Sequence, residues 1–302
     1  MKKFYILLML ISQLWSSSIT PNEVYAQVEL ITQEVHFLTK YYDVEHSHNE
    51  ILKSSNTKAN IKPRNVWQMT YEIMVKINML RTKHNLPVIE PVNMSPILHL
   101  NPDMVYEQTQ RILTEIKVFK DRMNIKSPVF KLKKFKNKMP IDVYNSLSDI
   151  SKTFNELNQG KISSRYVYGE NIRVFDDITV ILKHLKIPDT TIPNKKIVGA
   201  KPVDSYKEGM KILDKIKQLQ ITVGIDFVDF TNLHEGEITP NEVFTLTQMI
   251  IAELQTIKAY LNMDSITTAA IKYQTKTPAE VAQLMSWNFR KIDLIKSLNR
   301  GK

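Results

Sequence analysis

A chain of 302 residues, 43% apolar and 24% charged, has the composition of a globular protein and is long enough to bury a sizeable core. Only 7 glycines argue against a hairpin-rich all-β fold, and the absence of cysteine excludes disulfides, thiolate metal sites and cysteine catalysis. The formal charge of +10 favours anionic partners: phospholipid head groups, envelope polymers or acidic proteins.

The N-terminus has the pattern of an export signal. Lys2 and Lys3 precede an apolar run over residues 4–14, and Ser16, Ser17 and Ser18 offer small residues for cleavage. The expectation is a signal peptide over residues 1–18, cut after Ser18, and a periplasmic or secreted mature chain without a transmembrane helix. Without Lys2 and Lys3, 39 basic residues face 31 acids, a formal +8. Export disfavours nucleic acid among the anionic partners.

The mature chain would begin with the phrase ITPNEV at residues 19–24, which returns unchanged at residues 238–243. Anchored on its proline, the chain divides into units at Pro21, Pro63, Pro102, Pro140, Pro202, Pro240 and Pro278, with an eighth at Asn171. Three residues after each start comes valine, with Ser205 the exception. The next residue is aromatic in seven units, Tyr25 and Trp67 among them. Ten residues after the start comes isoleucine in seven units, and fourteen after comes a large apolar residue. Apolar residues at offsets 3, 10, 14 and 17 lie on a heptad seam, which is helical periodicity. Thr20, Thr239 and Thr277, followed by Glu23, Glu242 and Glu280, form capping boxes around a first-turn proline, and Asn101 can cap the third unit. The first-turn aromatics are read as staples that pack on a neighbouring connector.

The expected fold is therefore all-α: a tandem array of about eight single-helix repeats with a period of roughly 38 residues, joined by long extended connectors, in helical bundles or a short solenoid. Repeats 1–4 would occupy residues 19–162 and repeats 5–8 residues 163–302. The connectors are long enough to run back along a helix, so successive helices could be parallel with extended straps or antiparallel. Residues 221–230 (ITVGIDFVDF) have the alternation of a short strand.

Candidate chemistry lies in the connectors. Residues 124–139 contain no acid and carry Lys131, Lys133, Lys134, Lys136 and Lys138 interleaved with Leu132 and Phe135, a pattern suited to an anionic surface. Arg165, Tyr166 and Tyr168 form a junction loop of residue types used at binding hot spots. His46 and His48, among acids, could ligate a divalent metal. Glu34, Glu115 and Glu253 share one offset beside the seam, where charges usually serve interhelical pairing. No catalytic motif stands out, and no cofactor is implied. The reading is an exported, non-enzymatic helical-repeat binding or scaffold protein of the bacterial envelope, its partner an envelope protein or an anionic lipid or polymer surface. The alternatives are a periplasmic small-ligand or divalent-metal binder, or an enzyme without a recognisable motif.

Overall fold

The computed structural model describes residues 19–44, 61–87, 89, 100–158, 162–225, 227 and 237–298. These hold eight helices: α1 (Pro21–Tyr41), α2 (Pro63–Lys83), α3 (Pro102–Arg122), α4 (Pro140–Leu157), α5 (Ser164–His184), α6 (Pro202–Thr222), α7 (Pro240–Tyr260) and α8 (Pro278–Asp293). Six of them are 21 residues long, or three heptads. Their starts follow the local chemistry of the sequence. Proline occupies the first turn of seven, and the boxes built on Thr20, Thr239 and Thr277 are all closed.

Their ends follow a rule the seam does not reveal. At offset 22 from the start of each of the six 21-residue helices, Asp43, Asn85, Asn124, Lys186, Gly224 and Asn262 adopt positive φ, between 50° and 73°. The next residue is apolar, and its N–H returns to a carbonyl five residues back: Val44 to Thr39, Leu86 to Arg81, Ile125 to Lys120, Ile187 to Leu182, Ile225 to Gln220 and Met263 to Lys258, all at 2.8–3.0 Å. This is the Schellman closure, in which one left-handed residue lets the last carbonyls be satisfied and an apolar residue fold back on the helix.

The fifth unit corrects one expectation. Its helix starts at Ser164, with Ser163 as N-cap, and not at Asn171. The two positions differ by one heptad, so the apolar seam fits either equally well. Asn171 is fully buried in the middle of α5, where its amide donates to the Val167 carbonyl at 2.9 Å. Residues 221–225 do not form a strand either. Ile221 and Thr222 finish α6 and Gly224 turns the chain, while residues 226 and 228–230 lie outside the described residues.

The helices form two four-helix bundles of the same plan. In the first, α1 and α2 each pack against both α3 and α4; in the second, α5 and α6 each pack against α7 and α8. Within a bundle all four helices are parallel. The Ile19 N–H donates to Asp103 at 3.1 Å and the Lys138 N–H to Asn22 at 2.9 Å, joining the starts of α1, α3 and α4. Lys83 reaches the Leu157 carbonyl, joining the ends of α2 and α4. In the second bundle Ser164, Pro202, Pro240 and Pro278 meet at one end, and the Ile162 N–H donates to Asn241 at 2.9 Å. Asn22 and Asn241 thus do the same work in the two copies of ITPNEV: each fixes the start of a neighbouring parallel helix.

Each bundle has its own apolar core, one including Ile31, Ile73, Ile112 and Ile150, the other Ile181, Ile212, Ile250 and Ile292. Only residues 158–163 connect α4 to α5. Six residues reach about 20 Å at most, less than the roughly 27 Å of α4, so the second bundle begins where the first ends. Arg64 at the start of α2 meets Glu253 and Thr256 late in α7, so the second bundle runs the opposite way. The bundles meet through α2 and α7, with Val75 of α2 in the second core and Ala252 of α7 in the first. One turn before Ala252, Gln248 is fully buried and neither polar atom of its amide has a partner. Gln248→Met keeps the shape and removes that desolvated amide, so it is expected to raise stability by about 1–3 kcal/mol. A urea midpoint at or below that of the parent would refute this.

Candidate anionic-surface site

Parallel helices require connectors that return the full length of the bundle, and these straps hold the candidate site. The strap after α3 is anchored at both ends. Ile125 is buried by the Schellman turn, and the Ser127 hydroxyl pairs with Lys120 at 2.5 Å. Lys120 itself is buried on Glu34 of α1. At the far end the Phe135 ring meets the edge of Tyr25 with centroids 4.9 Å apart, and Lys138 lies 3.8 Å over the same ring. Asn137 takes a φ of 59° and the chain enters α4.

Between those anchors the strap turns its side chains outward. Lys126, Lys131, Lys133, Lys134 and Lys136 are exposed. So are Val129, at 91%, and Leu132, at 57%. Of the expected lysines, Lys138 differs: it is half-buried on Tyr25 and is part of the anchor. Of the two expected apolar groups, Leu132 is exposed whereas Phe135 packs inward on Tyr25. Val129 is an addition, legible only once the inward anchors are known.

The second bundle repeats the anchor with different residues. Tyr273 meets the edge of Tyr168 at 4.9 Å and Lys276 lies 4.2 Å over that ring. In both bundles the strap aromatic comes five residues before the next helix and the lysine two before. The first-turn aromatics at Tyr25 and Tyr168 thus act as staples on a connector.

This placement corrects the junction-loop reading. Arg165, Tyr166 and Tyr168 are not in a loop; they occupy the first two turns of α5, because the helix starts at Ser164, one heptad before Asn171. Arg165 stacks over Tyr166 at 5.0 Å, and Tyr168 is taken by the strap. His46 and His48 lie outside the described residues. Among the described residues no group of three or more His, Asp or Glu side chains is placed to hold a metal, and no helix is long and apolar enough to cross a membrane.

The recurrent acids have a structural explanation. Glu34 pairs with Lys120, Glu115 with Arg81, and Glu253 with Arg64, each across a helix contact. In α5, counted from Ser164, the same offset is Asp177, which pairs with Lys258 at 2.8 Å.

Sequence reasoning missed a second basic and apolar strap, residues 187–201, which runs back along α8. Arg290 donates to the Ile192 carbonyl at 2.8 Å, the Trp287 indole N–H to the Thr191 hydroxyl at 2.9 Å, and Asn194 to Ser286 at 2.9 Å. Burial raises the pKa of Asp189, but hydrogen bonds from Lys291 and Thr191 outweigh it and hold that carboxyl at about 2. Residues 190–201 contain no acid; Lys195, Lys196 and Lys201 are exposed beside Ile192, Ile197 and Val198. The signal was a run of lysine and aliphatic residues, weaker than 131–138 because only three lysines take part.

The chain matches no protein-family model, no curated protein and no solved structure.

Proposed function

We propose that this is an exported, non-enzymatic scaffold protein of the bacterial envelope that docks on an anionic lipid surface through the strap at residues 124–139. The observation that carries the reading is the composition of that strap's outward face: five exposed lysines around the exposed Val129 and Leu132. Lysines at a negatively charged bilayer each contribute about 1 kcal/mol while aliphatic groups enter the head-group layer. The anchors at Lys120, Tyr25 and Asn22 hold the strap on a packed bundle, so little ordering is required when it binds. Export rests on residues 1–18, which lie outside the described residues; N-terminal sequencing of the mature protein should begin at Ile19, and retention of Met1 on a cytosolic protein would remove the envelope from the proposal.

Docking is tested by sedimentation with vesicles containing phosphatidylglycerol. Lys133→Gln with Lys134→Gln should weaken binding by about 2 kcal/mol, roughly thirtyfold at low salt. Added salt should weaken the parent in the same direction. Equal binding to neutral phosphatidylcholine vesicles, or an unchanged double variant, would overturn the reading.

A further inference from the structure

The two basic straps lie on opposite flanks of the molecule. In the first bundle α2 faces the second bundle, and α1 stands diagonally across from it, since α1 packs on α3 and α4 but not on α2. The 124–139 strap is anchored on α1, through Tyr25 and Asn22. In the second bundle α7 faces the first, and α8 stands diagonally across from α7. The 187–201 strap lies on α8, through Trp287, Ser286 and Arg290. Each basic strap therefore covers the helix farthest from the interface of its own bundle. With neighbouring axes 8–10 Å apart, the two outer helices are separated by on the order of 30–40 Å.

The charge follows that geometry and not the order of the repeats. By chain order the counterpart of 124–139 in the second bundle is the strap between α7 and α8. That strap lies on the interface side: the Thr268 carbonyl accepts from Arg173, which Tyr71 of α2 also reaches. It carries Lys272 and Lys276 only, with Lys276 held on Tyr168, against one acid, Asp264. Ile266 and Ile271 are exposed on that strap too, at 52% and 58%, but only the outward strap combines three exposed lysines with exposed aliphatic residues, Ile192, Ile197 and Val198 at 68%, 60% and 98%.

We infer that the protein has two lipid-docking faces pointing in opposite directions, and that it bridges two anionic bilayers. Val198 and Ile197 enter the head-group layer of one while Lys195 and Lys201 pair with its phosphates; Val129, Leu132 and their lysines engage the other. The inference rests on the docking role proposed above for residues 124–139, and the experiment separates the two. Full-length mature protein is mixed with phosphatidylglycerol vesicles, and both sedimentation and vesicle clustering by light scattering are recorded. The parent is expected to sediment with vesicles and to cluster them, with clustering falling again at excess protein as each face saturates separately. The triple variant Lys195→Gln, Ile197→Ser, Val198→Ser, altered only at exposed positions, should still sediment but lose clustering by tenfold or more. Circular dichroism checks that its melting is that of the parent. Sedimentation without clustering by the parent overturns bridging and leaves docking intact. Clustering that persists in the triple variant also overturns it, because one face would then suffice through self-association. No sedimentation by the parent overturns both.

Discussion

Glu253→Ala is expected to destabilise the protein by about 3–5 kcal/mol, although no ligand is involved. Glu253 is fully buried on α7, with its carboxylate held by Arg64 and Gln68 of α2 and by Gln220 of α6. Arg64 is 2% exposed and also donates to Thr256 at 2.9 Å. Removing the carboxylate strips the buried guanidinium of its two contacts with Glu253 and the Gln68 amide of its acceptor, and that penalty outweighs the packing lost with one methylene. Removing both charges is a different experiment. Arg64→Met and Glu253→Leu combined with Gln68→Met, whose amide would otherwise lose its acceptor, leaves Gln220 still donating to Thr256, and replacing such a network by apolar groups of similar volume is expected to be neutral or stabilising by about 1–4 kcal/mol. Trp67 lies in the first bundle and Trp287 in the second, so single-tryptophan versions report each bundle separately. Because the pair joins the bundles, the single variant should separate the two fluorescence midpoints in urea. A loss below about 1 kcal/mol, with coincident midpoints, would show that this pair does not hold the interface.

The fold was legible where the determinants were local. Thr20, Pro21 and Glu23 act on a single turn of backbone, so their meaning survives without tertiary context. The heptad seam gave the number of helices and their amphipathic faces. It could not fix the fifth start, because a seven-residue shift maps the seam onto itself and α5 has no proline in its first turn to mark the true start. Anchoring instead on the closures at offset 22 removes that degeneracy: Asp43, Asn85, Asn124, Lys186, Gly224 and Asn262 all agree with Ser164. Helix direction was not legible, since an extended connector permits either arrangement. It is decided by pairings such as Asn22 with Lys138, 116 residues apart, which leave no periodic trace. The same limit applies to the site. Lysine content marked 131–138, but which side chains face outward depended on the Tyr25 anchor. The strap at 187–201 gains its meaning only from lying on α8, diagonally across from the interface helix.

The straps are as much a part of the packed structure as the helices, and Gly169→Val should show it with a loss of about 3 kcal/mol. Gly169 sits in α5 where the strap between α7 and α8 crosses, and a Cβ there would lie 2.5 Å from the Ile271 carbonyl oxygen. Backbone cannot swing aside as a side-chain end can, so the strap must lift. Lifting it strains the Arg173 donation to Thr268, 2.8 Å, and the Thr267 hydroxyl bond to Asp177, 2.7 Å, which helps satisfy the buried Lys258 pair. Gly209→Ala is the control. The three atoms nearest its Cβ would be side-chain atoms of Leu246 and Met285, the first a Leu246 methyl carbon at 2.6 Å. Alanine also gains about 1 kcal/mol of helix propensity over glycine, so repacking of that leucine should leave the net change within about 1 kcal/mol. Urea midpoints measure both, and limited proteolysis identifies the cause. In Gly169→Val the new cleavages should fall within residues 264–277, because a lifted strap exposes backbone that α5 now covers. Equal losses in the two variants, or a strap that stays resistant in Gly169→Val, would mean that the chain crosses α5 with more slack than the Ile271 approach implies.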